Sequence, residues 1–499
     1  MVATQQILLA TDLGASSGRL VAGRINNGRL SLEDVHRFEN GGVQIAGHFQ
    51  WNLLALWQNI KDALRKAHSA YGDQVVSVGV DTWGVDFGLL GKHDEILGNP
   101  YHYRDHQTDG ILEKAFSIVS REEIFAATGL QFMQLNTLFQ MLALKMADSA
   151  LLESAHTFLM MPDLFHWLLT GEKANEQTNA STTQFYDPRS SQWSLELLRK
   201  FDLPTSMLQQ IAPPGTNLGK IRGEVADETG MKNVQVVLPG THDTASAVMA
   251  VPAAASAEKT DWCYISSGTW SLMGVEVPRP VITDRVRELN FTNEGGVGGT
   301  IRLLKNIAGL WLIQECRRIW LQQGKQNDFV DLVKKADASK PLVSLIDPDD
   351  TCFIAPKDMP QAIRDYCQQS GQPVPDSDGA IIRCALESLA LRYRMVHRWL
   401  EELVGNRIDT IHIVGGGTQN QLLCQMAADA CDRVVIAGPV EATAIGNVMM
   451  QAVSLGIVGS ISEARQVIRQ SFDVAQFEPK NTKPWEEAFQ RFEKLVLKS

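Results

Sequence analysis

The sequence predicts an α/β protein built from two related halves, and three observations lead there. Strand-like and helix-like segments alternate along the chain, which calls for helices layered on sheets. A strand, a glycine-containing turn and a return strand open the chain at 7–24, and the same pattern returns at 261–274. The 499 residues, 44% hydrophobic and 21% charged, have an ordinary globular composition at a length that asks for two or more domains.

Taken in order, 7–12 reads as a buried strand, 13–18 as a Gly/Ser turn and 19–24 as a return strand. That is a β-hairpin, not the entry of a dinucleotide-binding fold. Helical periodicity marks 53–71, β-branched residues make 75–81 strand-like, and 136–152 looks helical. An apolar run at 234–239 and one glycine lead to Thr241, His242, Asp243, Thr244, Ala245 and Ser246, so an acid flanked by hydroxyls and an imidazole is expected where a strand ends. The halves join near 248–257, where Pro252 and an alanine-rich run soften the chain, giving domains 1–247 and 248–499. The second half repeats strand, turn and return strand at 261–266, 267–269 and 270–274. Helices are expected at 304–323 and 380–404, then a strand at 408–414, Gly415, Gly416 and Gly417, a helix from Asn420 and a helical tail at 485–497.

A net charge of −11 and a pI near 5.5 disfavour nucleic acid or an anionic membrane as partner. An anionic nucleotide would need local backbone donors or a metal. The N-terminus lacks a basic region and a full apolar core, and the small-residue stretch 245–257 is too short to span a bilayer. A cytoplasmic protein, a monomer or small homo-oligomer, is the expectation. Seven cysteines, all beyond Asp243 and without a C-x-x-C, read as reduced, buried thiols. Cys424 and Cys431 share an expected helix at a rise of about 10.5 Å, too far to bond. His102, Asp105 and His106 cluster, but no second ligand pair accompanies them, so no metal centre is assigned there.

Two turns have the chemistry to hold phosphates. In the segment Asp12, Leu13, Gly14, Ala15, Ser16, Ser17, Gly18, Arg19, small residues let backbone N–H groups and hydroxyls approach phosphate oxygens, and Asp12 could hold Mg²⁺ through water. Ser266, Ser267, Gly268 and Thr269 repeat the design without the acid, and Gly415 to Gly417 would let a flat group lie against the backbone before a helix N-terminus. A plain hairpin turn or a close strand-to-helix turn would use the same residues. No P-loop, protein-kinase H-R-D or dinucleotide G-x-G-x-x-G is present. Two hairpin phosphate loops with a later glycine-rich loop form the plan shared by actin, chaperone ATPases and sugar kinases.

Six motifs then narrow the reading: 12–19, Asp81-Thr-Trp-Gly-Val-Asp-Phe87, 242–246, 265–274, Asn293-Glu-Gly-Gly296 and 413–417. In this order, spread over nearly the whole chain, they resemble the FGGY family of carbohydrate kinases. The resemblance implies two ribonuclease-H-like domains of actin/hexokinase type with a cleft between them. It also implies ATP-dependent phosphorylation of a ketose. Through the closeness of 81–87 and 266–274 to the pattern of one branch of the family, the resemblance favours the C1 hydroxyl of L-rhamnulose as acceptor, a step of L-rhamnose catabolism; L-fuculose, xylulose or another ketose stays open. By the same resemblance Asp243 is the catalytic base, and Gly84, His242, Asp243, Thr244 and Asn306 face the sugar. Ala15, Ser16, Ser17, Gly18 and Arg19, with Thr269, Gln314 and Gly416, face ATP. Asn306 and Gln314 would share one helix, eight residues and about 12 Å apart. Trp83 beside Gly84 is either an apolar wall for a deoxysugar methyl group or core. The rivals from other classes are an actin-like or chaperone-type ATPase and a catalytically dead sugar sensor.

Overall fold

The computed structural model describes residues 6–253, 261–354 and 356–497. The expected junction at 248–257 lies partly outside them. By internal packing the chain forms two units, one from Met1–Glu258, Glu276–Leu303 and Ala442–Phe472, the other from Lys259–Val275, Leu304–Glu441 and Asp473–Ser499.

The first unit is built on a sheet of β1 (Ile7–Leu13), β2 (Ser17–Asn26), β3 (Arg29–Glu39), β4 (Val75–Thr82), β5 (Asn217–Lys220) and β6 (Gln235–Val237), in the order β5-β6-β4-β1-β2-β3. The three N-terminal strands pair antiparallel, β1–β4 and β4–β6 are parallel, and β5 closes the edge antiparallel. β1 is buried almost throughout, as expected of a central strand flanked on both sides. The helix Leu53–Tyr71, α1, starts at an Asn52 side chain that accepts from the Ala55 N–H. It buries Leu53, Leu56, Ile60, Ala63, Leu64, Ala67 and Tyr71, a stripe at helical spacing that joins Ile7, Leu9, Val78 and Val80 in one core.

The second unit repeats the plan. With β7 (Trp262–Ser267), β8 (Trp270–Val277), β9 (Ile301–Ala308), β10 (Thr410–Val414), β11 (Val434–Ala437) and β12 (Ala475–Phe477), the run is β9-β8-β7-β10-β11-β12, and the strand Thr292–Gly295 adds a seventh beyond β9. Here too a central strand takes an antiparallel hairpin partner on one side, two parallel strands follow on the other, and the edge is antiparallel. The α/β class and the relatedness of the halves are therefore matched over six strands of each sheet, in the ribonuclease-H-like order that the resemblance implies, the second sheet carrying one strand more.

Two helices depart from expectation. The segment 304–323 is not one helix: β9 runs to Ala308, and α3 begins at Trp311 and ends at Gln322. Gly309 sits between them against the backbone of the second hairpin, where a Cβ would lie 2.5 Å from the Trp270 carbonyl carbon. A sheet position and a backbone approach override the apolar periodicity there. The segment 136–152 likewise divides into Thr137–Met146 and Ala150–Ser154, with Asp148 at φ +46° between them. The later elements are α4 (Asp378–Val404), α5 (Gln421–Cys431), capped by Asn420, and the tail Lys483–Val496. All seven cysteines are free; six are buried and Cys352 is exposed, which corrects the expectation for that one.

Candidate functional site

β1 and β2 bring Asp12 opposite Arg19, and β4 brings Asp81 beside Asp12. The Arg19 guanidinium donates to Asp12 Oδ2 from Nε at 2.9 Å and from Nη2 at 2.7 Å. In the turn between the strands the Gly14 N–H donates to the Ser17 carbonyl at 2.9 Å, and the Asn40 amide donates to the Gly14 carbonyl at 2.6 Å. Ser16 and Ser17 are exposed at the tip and Ala15 is half-buried. Gly18 is required by crowding, since a Cβ would meet the Phe38 ring at 2.3 Å.

Asp243 is the first residue of the helix Asp243–Met249, α2, with His242 at its N-cap. A parallel bridge joins His242 to Thr82, and the Thr82 N–H donates to the Thr241 carbonyl at 2.9 Å, so the loop before α2 runs alongside the residues leading to Gly84. The Asp243 side chain is 34% exposed; its Oδ1 accepts from the Thr244 N–H at 2.6 Å and the Thr244 hydroxyl at 3.1 Å. Loss of solvent pushes the Asp243 carboxyl above its ordinary range; the nearby His242 opposes this and the Asp12 carboxylate adds to it. Asp81 is raised well above the usual range by burial first and the Asp12 charge next, although it accepts from the Asn447 amide.

His242 is oriented from behind. The Arg302 Nη2 lies 3.1 Å and the Glu294 Oε2 3.3 Å from His242 Nδ1, while His242 Nε2 lies 3.5 Å from Asp243 Oδ1. Glu294 pairs with the same guanidinium at 3.1 Å and is held below the usual carboxylate range by His242 and Arg302, against the pull of burial. Glu176 ties the loop down: it accepts from the Thr241 N–H at 3.0 Å, the Thr241 hydroxyl at 2.6 Å and the Thr178 hydroxyl at 2.5 Å, while Thr178 Oγ1 accepts from the His242 N–H at 3.1 Å. Sequence reasoning assigned no role to Glu176, Glu294 or Arg302. The Asn293-to-Gly296 motif signalled the second, and nothing local signals the other two.

Beside Gly84, the indole of Trp83 is 6% exposed and stacks on Trp51 at 3.8 Å, so the core reading of Trp83 holds. Both indoles donate to Asp86 Oδ2, Trp51 at 2.6 Å and Trp83 at 2.9 Å; the Tyr103 N–H adds a third donor at 3.2 Å, and the Gln140 amide donates to Oδ1 at 2.8 Å. Burial outweighs these donors and pushes Asp86 up to about 7. Gly84 itself is hemmed in, with Thr182 Cγ2 3.0 Å from where a Cβ would be, and the next residue, Val85, adopts φ +68°.

In the second unit the Thr269 hydroxyl donates to Gln314 Oε1 at 3.2 Å, and the N–H groups of Leu310 and Trp311 donate to the Gly268 and Thr269 carbonyls at 3.0 and 3.1 Å. Gly417 packs on the same hairpin, where a Cβ would meet Ser267 Oγ at 2.0 Å, whereas Gly416 is exposed and a Cβ there would meet nothing within 4 Å. Thr269, Gln314 and the glycine turn are thus gathered on one hairpin. Asn306 is half-buried on β9, so it does not share a helix with Gln314, and the one-helix spacing argument falls.

Asp12 and Asp81 are register partners on neighbouring strands and the Asp12 charge reaches Asp243, carboxylates of the kind a hard divalent cation takes as ligands.

The model of the FGGY carbohydrate kinases' N-terminal domain matches residues 7–250 and that of their C-terminal domain matches 263–455. The chain is 45% identical to a rhamnulokinase of Bacteroides thetaiotaomicron over 493 residues, covering 99% of this chain and 100% of that one. It is 38% identical to a rhamnulokinase of Bacillus subtilis, with 99% of each covered. Among solved structures, a ligand-bound xylulose kinase from Lactobacillus acidophilus superposes with a TM-score of 0.79 at 14% identity, over 98% of this chain and 97% of that one, a likeness of fold. Matched by both family models across both hairpins and the Asp243 loop, the chain belongs to the FGGY family of carbohydrate kinases.

Proposed function

We propose that this protein transfers the terminal phosphoryl group of ATP to the C1 hydroxyl of L-rhamnulose, giving L-rhamnulose 1-phosphate and ADP. The observation that carries the chemistry is Asp243, a carboxylate raised above its ordinary range at the start of a helix, bordered by the imidazole of His242 and held by a loop fastened to Glu176. The choice of sugar rests on relatives named rhamnulokinase at 38% and 45% identity over nearly the full length.

Phosphoryl transfer asks mainly for positioning and for donors aimed at developing charge, because the transition state is loose. Asp243 accepts the hydroxyl proton as the oxygen attacks phosphorus, and a base raised toward neutrality does this more readily than an ordinary carboxylate. Gly84, His242, Thr244 and Asn306 face the sugar. Ala15, Ser16, Ser17, Gly18, Arg19, Thr269, Gln314 and Gly416 face ATP. Asp12 would hold Mg²⁺ through water, and the ion would supply positive charge against the phosphates. Arg302 and Glu294 hold the His242 ring at Nδ1, with Nε2 turned toward the base. The protein works in the cytoplasm, where ATP is supplied.

Incubation with ATP, Mg²⁺ and a panel of ketoses, scoring ADP and phosphosugar, tests the reading. L-Rhamnulose should give the highest kcat/KM. Preference for L-fuculose or xylulose would reject the substrate, and sugar-independent ATP turnover would reject the kinase.

A further inference from the structure

We propose that His48, Asp105 and His106 form a binding site for a divalent transition-metal cation of the zinc type on the surface of the first unit. His48 opens the strand His48–Trp51, the second arm of a small hairpin with Gly42–Ile45, while Asp105 and His106 lie at a turn nearly sixty residues later in the chain. The fold brings the two segments together, and one ligand atom from each of the three side chains falls within 4.8 Å of the others.

The carboxylate is fixed in advance. Asp105 is 1% exposed at its side chain, with Oδ2 accepting from the Phe49 N–H at 2.6 Å and Oδ1 from the Gln107 N–H at 2.8 Å. Both imidazoles turn Nδ1 toward it, His48 at 3.1 Å from Oδ1 and His106 at 3.7 Å from Oδ2, and their rings stack at 5.1 Å, only 9° from parallel. His48 completes a hydrogen bond there. The His106 ring, 63% exposed at its side chain, makes none among the described residues, yet it is aimed inward. A tetrahedral ion with bonds near 2.0–2.2 Å separates neighbouring ligand atoms by about 3.3 Å, within reach of these spacings after small side-chain rotations. Two imidazoles with one carboxylate suit zinc or nickel; magnesium and calcium ask for oxygen ligands throughout. The open side faces solvent, leaving room for a water ligand.

His102, nearest in sequence, is not part of the set. Its Nδ1 accepts from the Arg104 N–H at 3.0 Å, and its ring stacks on Trp51 at 4.0 Å. The bound ion would act as a clasp between the hairpin at 42–51 and the turn at 105–108, linking two segments that are far apart in the unfolded chain.

Untagged, full-length protein stripped with chelator and titrated with Zn²⁺ by calorimetry tests this. One Zn²⁺ should bind and raise the melting temperature. His106→Ala and His48→Ala should each weaken binding by roughly tenfold or more and abolish the thermal shift. His93→Ala, an exposed histidine elsewhere, should leave both unchanged. Because the His106 side chain is exposed, its variant keeps the test open if the His48 variant folds poorly. Absence of binding to the wild type would overturn the proposal. So would binding that survives both histidine substitutions, or binding lost instead with Cys352→Ser, the exposed thiol.

Discussion

Asp243 meets the solvent with a third of its side chain and keeps Oδ1 occupied by its neighbour Thr244, so an amide in its place would hold the same geometry without a basic oxygen. Asp243→Asn should lower turnover by roughly 10²–10⁴-fold while nucleotide binding changes little, read by steady-state kinetics and ADP titration. A near-wild-type rate would remove Asp243 as the base. Asp86 supports a different expectation, since replacing one of its oxygens by an amide sets N–H groups against the indoles or against Gln140. Asp86→Asn should cost about 1–3 kcal/mol in urea unfolding. Its carboxyl is raised from 3.8 to about 7 in the folded protein, so the folded state holds a proton that the unfolded chain releases sooner. That contribution is full below the unfolded value and is lost as pH climbs through about 7. Other buried carboxyls titrate in both proteins and cancel in the comparison. The stability gap between wild type and Asp86→Asn should therefore narrow from about pH 4 to about pH 7; a constant gap would refute the buried-carboxyl account.

At the scale of elements, the two glycine turns differ in what their glycines are for. Gly417 is glycine because Ser267 leaves no room, whereas Gly416 opens onto solvent. Gly417→Ala should destabilise the second unit by about 1–3 kcal/mol through overpacking. Gly416→Ala should stay within about 0.5 kcal/mol of wild type in stability, yet weaken ATP binding where the nucleotide lies against it. Equal effects on both measures would show that the turn has no nucleotide face. The opening hairpin was readable because buried strand, small-residue turn and returning strand are local properties of 7–24, and the structure pairs Asp12 with Arg19 across it. Helix α1 was readable to its ends because its apolar stripe and capping asparagine lie in one segment. The segment 304–323 was not, because the signal that ends β9 is the backbone of residue 270 pressing on Gly309, far away in sequence.

For the molecule as a whole, the first unit is completed by chain that returns late. Helix α6, Ala442–Ser454, lies against β1 and β4: Gln451 donates to the Leu9 carbonyl at 2.9 Å and accepts from the Ser77 hydroxyl at 2.6 Å, and Asn447 donates to Asp81. Gly446 approaches α2 so closely that a Cβ would lie 1.8 Å from the Ser246 carbonyl oxygen. Residues 1–250 expressed alone should therefore lack a cooperative unfolding transition and be cut quickly by protease, because α6 would leave buried polar groups unpartnered. A sharp two-state melt of that fragment would contradict this. From the amino-acid order alone came the α/β class, the repeated hairpins and the family, because each is carried by residue type and spacing within short motifs and by the order of those motifs along the chain; the proposal of Asp243 as base was read from the same motifs. Tertiary structure alone decided that Arg302 and Glu294 orient His242, that Glu176 anchors the loop, that Asp86 gathers two indoles, and that α6 belongs with the first sheet. These are partnerships between distant segments, set by which surfaces can be buried together, and no local pattern records them.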